Sequence, residues 1–367
     1  MVDAGLMLDN NLQIHPHSQP TTPQPGDTVI QTEGLTRIFG SNKAVDGLTL
    51  EVNAGEIFGF LGHNGAGKTT TVRLLNGLLE PSAGYARVLG LDPVTQGPQL
   101  RRYTGVLTES PSLDNRLTAY ENLSTFAAIY GLEKNVARAR VNQLLMIFGL
   151  EDRAKERVAG YSKGMKQRLA LARALVHQPD VIFLDEPASG LDPVVTRQLH
   201  ELILHLSRNE GKTIFLCTHN LDEAQKLCQR VAVLQHGQLL ALGTPSQLAR
   251  TIVSEVRLKI GVDAAQAGLA GSVLARFTDA TPEVDASGIA VSGILTEEIP
   301  DVVAALVAAE VRVYRVDHDE PTLEDVYFAL HSDTLHSGIA ANGNTPASPA
   351  INGTGNGQVT TEPTDRE

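Results

Sequence analysis

Short apolar runs bounded by glycine and followed by helical spacing fill residues 29–245. Two of these runs, 181–184 and 214–217, contain no polar position, the pattern of strands covered on both faces. Such runs alternating with amphipathic stretches predict a parallel sheet flanked by helices. Between about 110 and 165 the spacing turns helical and strand signals fade, which predicts a helical subdomain inserted into the sheet. After residue 250 the pattern becomes strict alternation: Val256, Leu258 and Ile260 interleave with Glu255, Arg257 and Lys259, as in a strand with one buried face. A helical stretch near 300–309, a strand at 311–316 and a helix after Pro321 complete a small α+β unit; Thr322 and Asp325 stand at capping-box spacing at the start of that helix. The chain is thus divided into an α/β domain over 28–248 and a small α+β domain over 249–332. Residues 1–27, with Pro16, Pro20, Pro23 and Pro25, and residues 333–367, rich in Gly, Asn and Thr, predict a disordered leader and tail.

Composition narrows the function. The chain has 367 residues, 42% of them hydrophobic and 20% charged, enough for a large globular domain and a smaller one. A formal net charge of -12 argues against a protein that grips nucleic acid, which calls for a basic face. Cys217 and Cys228 are the only cysteines, without metal-site spacing, as suits a reducing compartment. The longest apolar run, 302–309, falls far short of the roughly 18 to 20 residues that span a bilayer. The N-terminus lacks the basic start and apolar stretch of a signal peptide.

Chemistry concentrates at three places. Gly62-His63-Asn64-Gly65-Ala66-Gly67-Lys68-Thr69-Thr70 follows an apolar strand and opens a helix, the context of a phosphate-binding P-loop. Its glycines let backbone N–H groups turn inward around phosphates, at the positive end of the helix that follows. Lys68 is placed for the β- and γ-phosphates and Thr69 for Mg²⁺. By itself this motif fits kinases and GTPases equally. At the end of the run 181–184 stand Asp185 and Glu186, a metal-holding carboxylate followed by a general base for the attacking water. The run 214–217 ends in Thr218 and His219, so His219 is placed at the same carboxyl edge, positioned to sense the γ-phosphate.

One further stretch, Tyr161-Ser162-Lys163-Gly164-Met165-Lys166-Gln167-Arg168, precedes the paired carboxylates by about 20 residues. Met165, Leu169, Ala172 and Val176 share one helical face, which puts Ser162 and Gly164 at a helix N-terminus, an anion-binding position. This stretch resembles the signature of ABC ATPases, and residues 29–245 carry the remaining marks of that family in order. Phe39 resembles the aromatic that stacks on adenine, and Ser189-Gly190-Leu191-Asp192 resembles the D-loop. The resemblance implies a P-loop NTPase fold, ATP and Mg²⁺ as ligands, and a head-to-tail dimer in which Ser162 and Gly164 complete the partner's site. Two positions depart from the family pattern. Glu109 stands where a glutamine usually contacts Mg²⁺ and the attacking water, and its charge bears on the hydrolysis rate. Lys163 replaces a glycine, and either adds positive charge near the γ-phosphate or faces water.

The form of the signature, His219-Asn220-Leu221-Asp222-Glu223-Ala224, and Leu323-Glu324-Asp325-Val326 resemble the daunorubicin-resistance group of bacterial export ATPases. That resemblance implies a second ATPase subunit, most simply a homodimer, separate permease subunits in the membrane, and a peripheral position on its cytoplasmic side. No nucleic-acid partner is expected. The alternative, a soluble ABC ATPase acting on ribosomes or DNA, is disfavoured by the single P-loop, the absence of coiled coils or zinc modules, and the acidic charge. Importers are harder to set apart, and the cargo is not written in this chain.

Overall fold

The computed structural model describes residues 23–24, 26–110, 112–252, 256–285, 288–319, 322–328 and 330. Most of the leader and all of the tail read from the sequence lie outside the described residues. In chain order the elements begin with β1 (Thr28–Phe39), β2 (Asn42–Asn53), β3 (Ile57–Leu61), α1 (Lys68–Leu75), β4 (Ala83–Val88), α2 (Gly97–Leu100) and β5 (Thr104–Leu107). Then come α3 (Ala119–Ile129), α4 (Lys134–Ile147), α5 (Lys163–Ala174), β6 (Val181–Asp185), α6 (Pro193–Arg208), β7 (Thr213–Thr218) and α7 (Leu221–Leu227). The chain continues through β8 (Arg230–Gln235), β9 (Gln238–Gly243), α8 (Pro245–Ile252), β10 (Val256–Val262), α9 (Ala267–Leu274), β11 (Glu283–Asp285), β12 (Gly288–Ile294), α10 (Ile299–Ala308) and β13 (Val313–Asp319).

The central sheet has six strands in the order β5-β6-β7-β3-β8-β9, parallel from β5 through β8 and closed by antiparallel β9. Every residue of β3, β6 and β7 is buried, because each strand feeds two cores. Alternate side chains explain how. Phe58, Phe60, Phe183 and Phe215 meet on one face, with Phe60 and Phe215 rings 4.9 Å apart. Ile57, Leu61, Ile182, Leu184, Ile214 and Leu216 point into the other core, among the helices.

The first core is closed by a second, antiparallel sheet, β2-β1-β4. The sequence pattern was one helix-flanked parallel sheet and did not separate this layer. Its long strands carry mixed burial and several register shifts, so their alternation is broken and weak. The other core takes in the helical insertion. Helix α3 is started by a capping box in which Thr118 Oγ1 accepts from the Glu121 N–H (3.1 Å) and Glu121 Oε2 from the Thr118 N–H (2.8 Å). Leu123, Val141, Leu144, Leu145 and Phe148 anchor α3 and α4. Buried Arg140 on α4 donates to the Leu175 carbonyl (2.9 Å) and ties the insertion to the end of α5.

Strands β10 to β13 form a separate four-stranded antiparallel sheet in the order β11-β12-β10-β13, with α9 and α10 packed on one face. This βαββαβ order is the ferredoxin-like split βαβ arrangement. Leu258, Ile260, Val262, Ile289, Val302 and Leu306 make its core. The chain does not end there. Residues 323–328 are helical, and Leu323 and Val326 join the core of the large domain with Ala224, Leu227 and Leu248. The sequence pattern assigned this helix to the small domain. Two apolar side chains one turn apart do not say which core receives them, and the larger one does. Among the described residues no helix is long and apolar enough to cross a membrane.

Candidate active site

Strands β6, β7 and β3 are neighbours and parallel, so their carboxyl ends lie on one edge of the sheet. That edge collects the residues singled out in the sequence. Strand β3 delivers the P-loop, β6 delivers Asp185 and Glu186, and β7 delivers Thr218 and His219.

The P-loop bends because of its glycines. Gly67, the residue before α1, has φ 108°, and a Cβ there would collide with the Ala44 carbonyl oxygen. At Gly62 a Cβ would lie 2.9 Å from the Leu234 carbonyl oxygen. Lys68, 6% exposed, folds back over the loop. Its ammonium donates to the Gly62 carbonyl (2.5 Å) and pairs with Glu186 Oε1 (3.2 Å). The Thr69 hydroxyl donates to Asp185 Oδ2 (2.7 Å).

Glu186 holds the left-handed backbone region at φ 51°, which costs a non-glycine residue about 1–3 kcal/mol. Its N–H donates to the Cys217 carbonyl (2.9 Å), and its carboxylate meets Lys68 on one oxygen and His219 on the other. His219 Nδ1 lies 2.8 Å from Glu186 Oε2. The unusual φ is thus compensated by contacts that aim the carboxylate across the sheet edge. Burial pushes the Asp185 carboxyl above its ordinary range; the Thr69 hydroxyl opposes this, and the charge of Glu186 adds to it. Asp185, Glu186 and Glu109 line the same pocket as Lys68, and the charges of Glu186, Lys68 and Glu109 all act on Asp185.

An open pocket of about 470 Å³ runs over these groups, within the range of small-ligand sites. Phe39, His63, Asn64, Gly65, Gly67, Lys68, Thr69, Thr70, Glu109, Asp185 and Glu186 all line it. Phe39 stands at the end of β1, 44% exposed, with the Arg37 guanidinium 4.6 Å from its ring centre. Two lining residues, Asn42 and Ala44, were not found in the sequence. The tight turn between β1 and β2 pairs Phe39 with Asn42 and so places them side by side. A glycine between two long apolar-polar strands was the available signal.

Other residues from the sequence stand outside the pocket lining. Gly62 and Ala66 shape the loop: the Gly62 carbonyl receives Lys68, and the Ala66 carbonyl receives the Gly237 N–H (3.1 Å). His219 reaches the site through Glu186. Ser162 caps α5 by accepting from the Met165 N–H (3.2 Å), and Gly164 faces Val195 and Leu191. The Asp192 carboxylate caps α6, accepting from the N–H groups of Val194 (3.1 Å) and Val195 (3.0 Å), so within one chain it is a helix cap away from the pocket. The Lys163 ammonium fills the space that a side chain on Gly190 would need. Buried Gln167 on α5 donates to the Pro187 carbonyl (2.8 Å), joining the signature helix to the segment after Glu186.

The ABC transporter family matches residues 45–189. The bacitracin transport ATP-binding protein BcrA of Bacillus licheniformis is 42% identical over 213 residues, 58% of this chain and 69% of that protein. The daunorubicin resistance ATP-binding protein DrrA3 of Streptomyces coeruleorubidus is 37% identical over 310 residues, 84% of this chain and 97% of that protein. A solved ATP-binding subunit of an ABC transporter superposes with a TM-score of 0.57 and 32% identity, over 61% of this chain and 93% of its own. With a P-loop, paired carboxylates and a histidine on one sheet edge, and a relative aligned almost end to end, the chain belongs to the ATP-binding subunits of ABC transporters, a family of ATPases.

Proposed function

We propose that this chain powers an exporter as a homodimer, on the cytoplasmic side of the membrane, beneath permease subunits carried on other polypeptides. The observation that supports it most is the meeting of Lys68, Thr69, Asp185, Glu186 and His219 on the edge of three adjacent strands. The relatives named for bacitracin transport and daunorubicin resistance favour export as the direction.

The P-loop N–H groups, from His63 to Thr70, cradle the phosphates of ATP, and Phe39 offers its exposed ring to adenine. Lys68 exchanges its contacts with the Gly62 carbonyl and Glu186 for phosphate oxygens. Thr69 and Asp185, with Glu109 beside them, supply the oxygen donors that would hold Mg²⁺. When bound, that ion neutralises charge on the phosphates. Glu186, freed from Lys68, takes a proton from the attacking water, and His219 holds its second carboxylate oxygen in place. Ser162, Gly164 and Asp192 act on the partner's nucleotide. The N-terminus of α5, capped by Ser162, lies outside the pocket lining of its own subunit and would serve an anion across a dimer. Glu109, charged where a neutral amide is usual, slows the water step relative to a glutamine.

Turnover of the purified full chain tests this. Glu186→Gln lowers ATP hydrolysis by about 100-fold or more while nucleotide binding persists. Wild-type turnover in that variant would remove Glu186 as the base and this mechanism with it.

A further inference from the structure

Helix α7 begins two residues after His219 and has only seven residues, too few to hold its shape alone. Three contacts fix it. At its start Asn220 Oδ1 accepts from the Glu223 N–H (3.0 Å). On one side Glu223 Oε1 meets His200 Nε2 of α6 (3.0 Å). On the other, Gln225 Oε1 accepts from the Leu323 N–H (3.0 Å), from the far end of the chain.

The last contact is specific in its chemistry. Leu323 is the first residue of the helical stretch 323–328, so its N–H has no acceptor within that helix. The neighbouring N–H groups are served locally. Thr322 N–H donates to Asp325 Oδ2 (2.8 Å), and Asp325 N–H donates to Thr322 Oγ1 (3.3 Å). The Leu323 N–H goes to α7 instead. Below it, Leu323 (1% exposed) and Val326 (0%) enter the same apolar cluster as Ala224 and Leu227 of α7, although 95 residues, 228–322, intervene in sequence.

We propose that the stretch 322–328 is a positioning element of the ATPase site: it holds α7, and through α7 it holds His219 against Glu186. Gln225, Leu323 and Val326 are positioning residues that stand outside the lining of the pocket. The small βαββαβ domain, attached through α8 on one side and this stretch on the other, thereby gains control over the rate of hydrolysis and none over nucleotide binding. The proposal rests on Glu186 and His219 acting in hydrolysis as described above.

The test uses the full-length purified chain, measuring ATP turnover, nucleotide affinity by equilibrium titration, and amide hydrogen exchange. Gln225→Ala, a change at an exposed side chain, lowers kcat by about fivefold, the factor that one lost neutral hydrogen bond represents, with nucleotide affinity unchanged. Amides of α7 exchange faster, while those of β3 and β6 keep their rates. Gln225→Glu keeps an acceptor oxygen and restores turnover. Val326→Ala reproduces the kinetic pattern from the packing side. Wild-type kcat in both Gln225→Ala and Val326→Ala would overturn the proposal, as would a parallel loss of turnover and nucleotide affinity. A Glu186→Gln chain that loses turnover beside a Gln225→Ala chain that keeps it would leave the hydrolysis mechanism standing and remove this positioning role alone.

Discussion

Lys68 and Glu186 form a buried ion pair, 6% and 8% exposed. Each partner desolvates the other, so removing one leaves a buried charge. Lys68→Ala therefore lowers unfolding free energy in urea by about 3 kcal/mol, and the double change Lys68→Ala/Glu186→Gln loses less than Lys68→Ala alone. Equal losses in the two variants would mean that the pair carries no coupling. Under the proposed mechanism, Lys68 would exchange Glu186 for phosphate. The convergence of Lys68, Thr69, Asp185, Glu186 and His219 on one sheet edge was legible in the sequence because each stands at a strand end or a loop that motif spacing already locates. Asn42 and Ala44 were not, because strand pairing between β1 and β2 brings them to the pocket. Nor was the left-handed φ of Glu186, which no residue type announces. Asp192 was legible as part of a loop, yet its carboxylate is engaged by two backbone N–H groups of α6.

At the scale of elements, the joint between α4 and the turn after α6 carries a charge that responds to pH. Arg140 is buried on α4, and burial brings its pKa down to about 10. Burial pushes the Glu210 carboxyl up to about 7, with Arg140 and Lys212 offsetting only part of this. His205 Nε2 lies 3.5 Å from its Oε1. The folded chain thus holds the Glu210 proton more tightly than the unfolded chain, whose carboxyl titrates near 4.5. The stability this contributes is fully present below pH 4.5 and is lost as pH rises to about 7. In melting curves across that window, wild type falls relative to Glu210→Gln as pH rises. A constant difference between the two would show that Glu210 titrates normally. The parallel strands were legible because burial on both faces leaves unbroken apolar runs, as in 181–184. The antiparallel layer β2-β1-β4 was hidden by register shifts that interrupt its alternation. The return of 323–328 to the large domain was hidden because Leu323 and Val326 specify a buried face and no partner.

For the whole molecule, the unexplained geometry within one subunit is the distance of the signature from the pocket. Ser162 and Gly164 open α5, Asp192 opens α6, and none of them lines the site built around Lys68 and Asp185. In the proposed dimer a second copy, turned head to tail, would give these helix starts an anion to meet. In that proposed dimer ATP would contact two subunits only in the closed arrangement, and its binding would shift the population toward that arrangement. Closure would move the permease, and hydrolysis at Glu186 would reset it. The most direct measurement is the mass in solution of the Glu186→Gln chain, by light scattering, without and with Mg-ATP, alongside the amount of nucleotide bound. A sandwich gives a monomer that doubles in mass only when Mg-ATP is present, with one nucleotide per chain. A chain that binds ATP fully and keeps the mass of a monomer would contradict it.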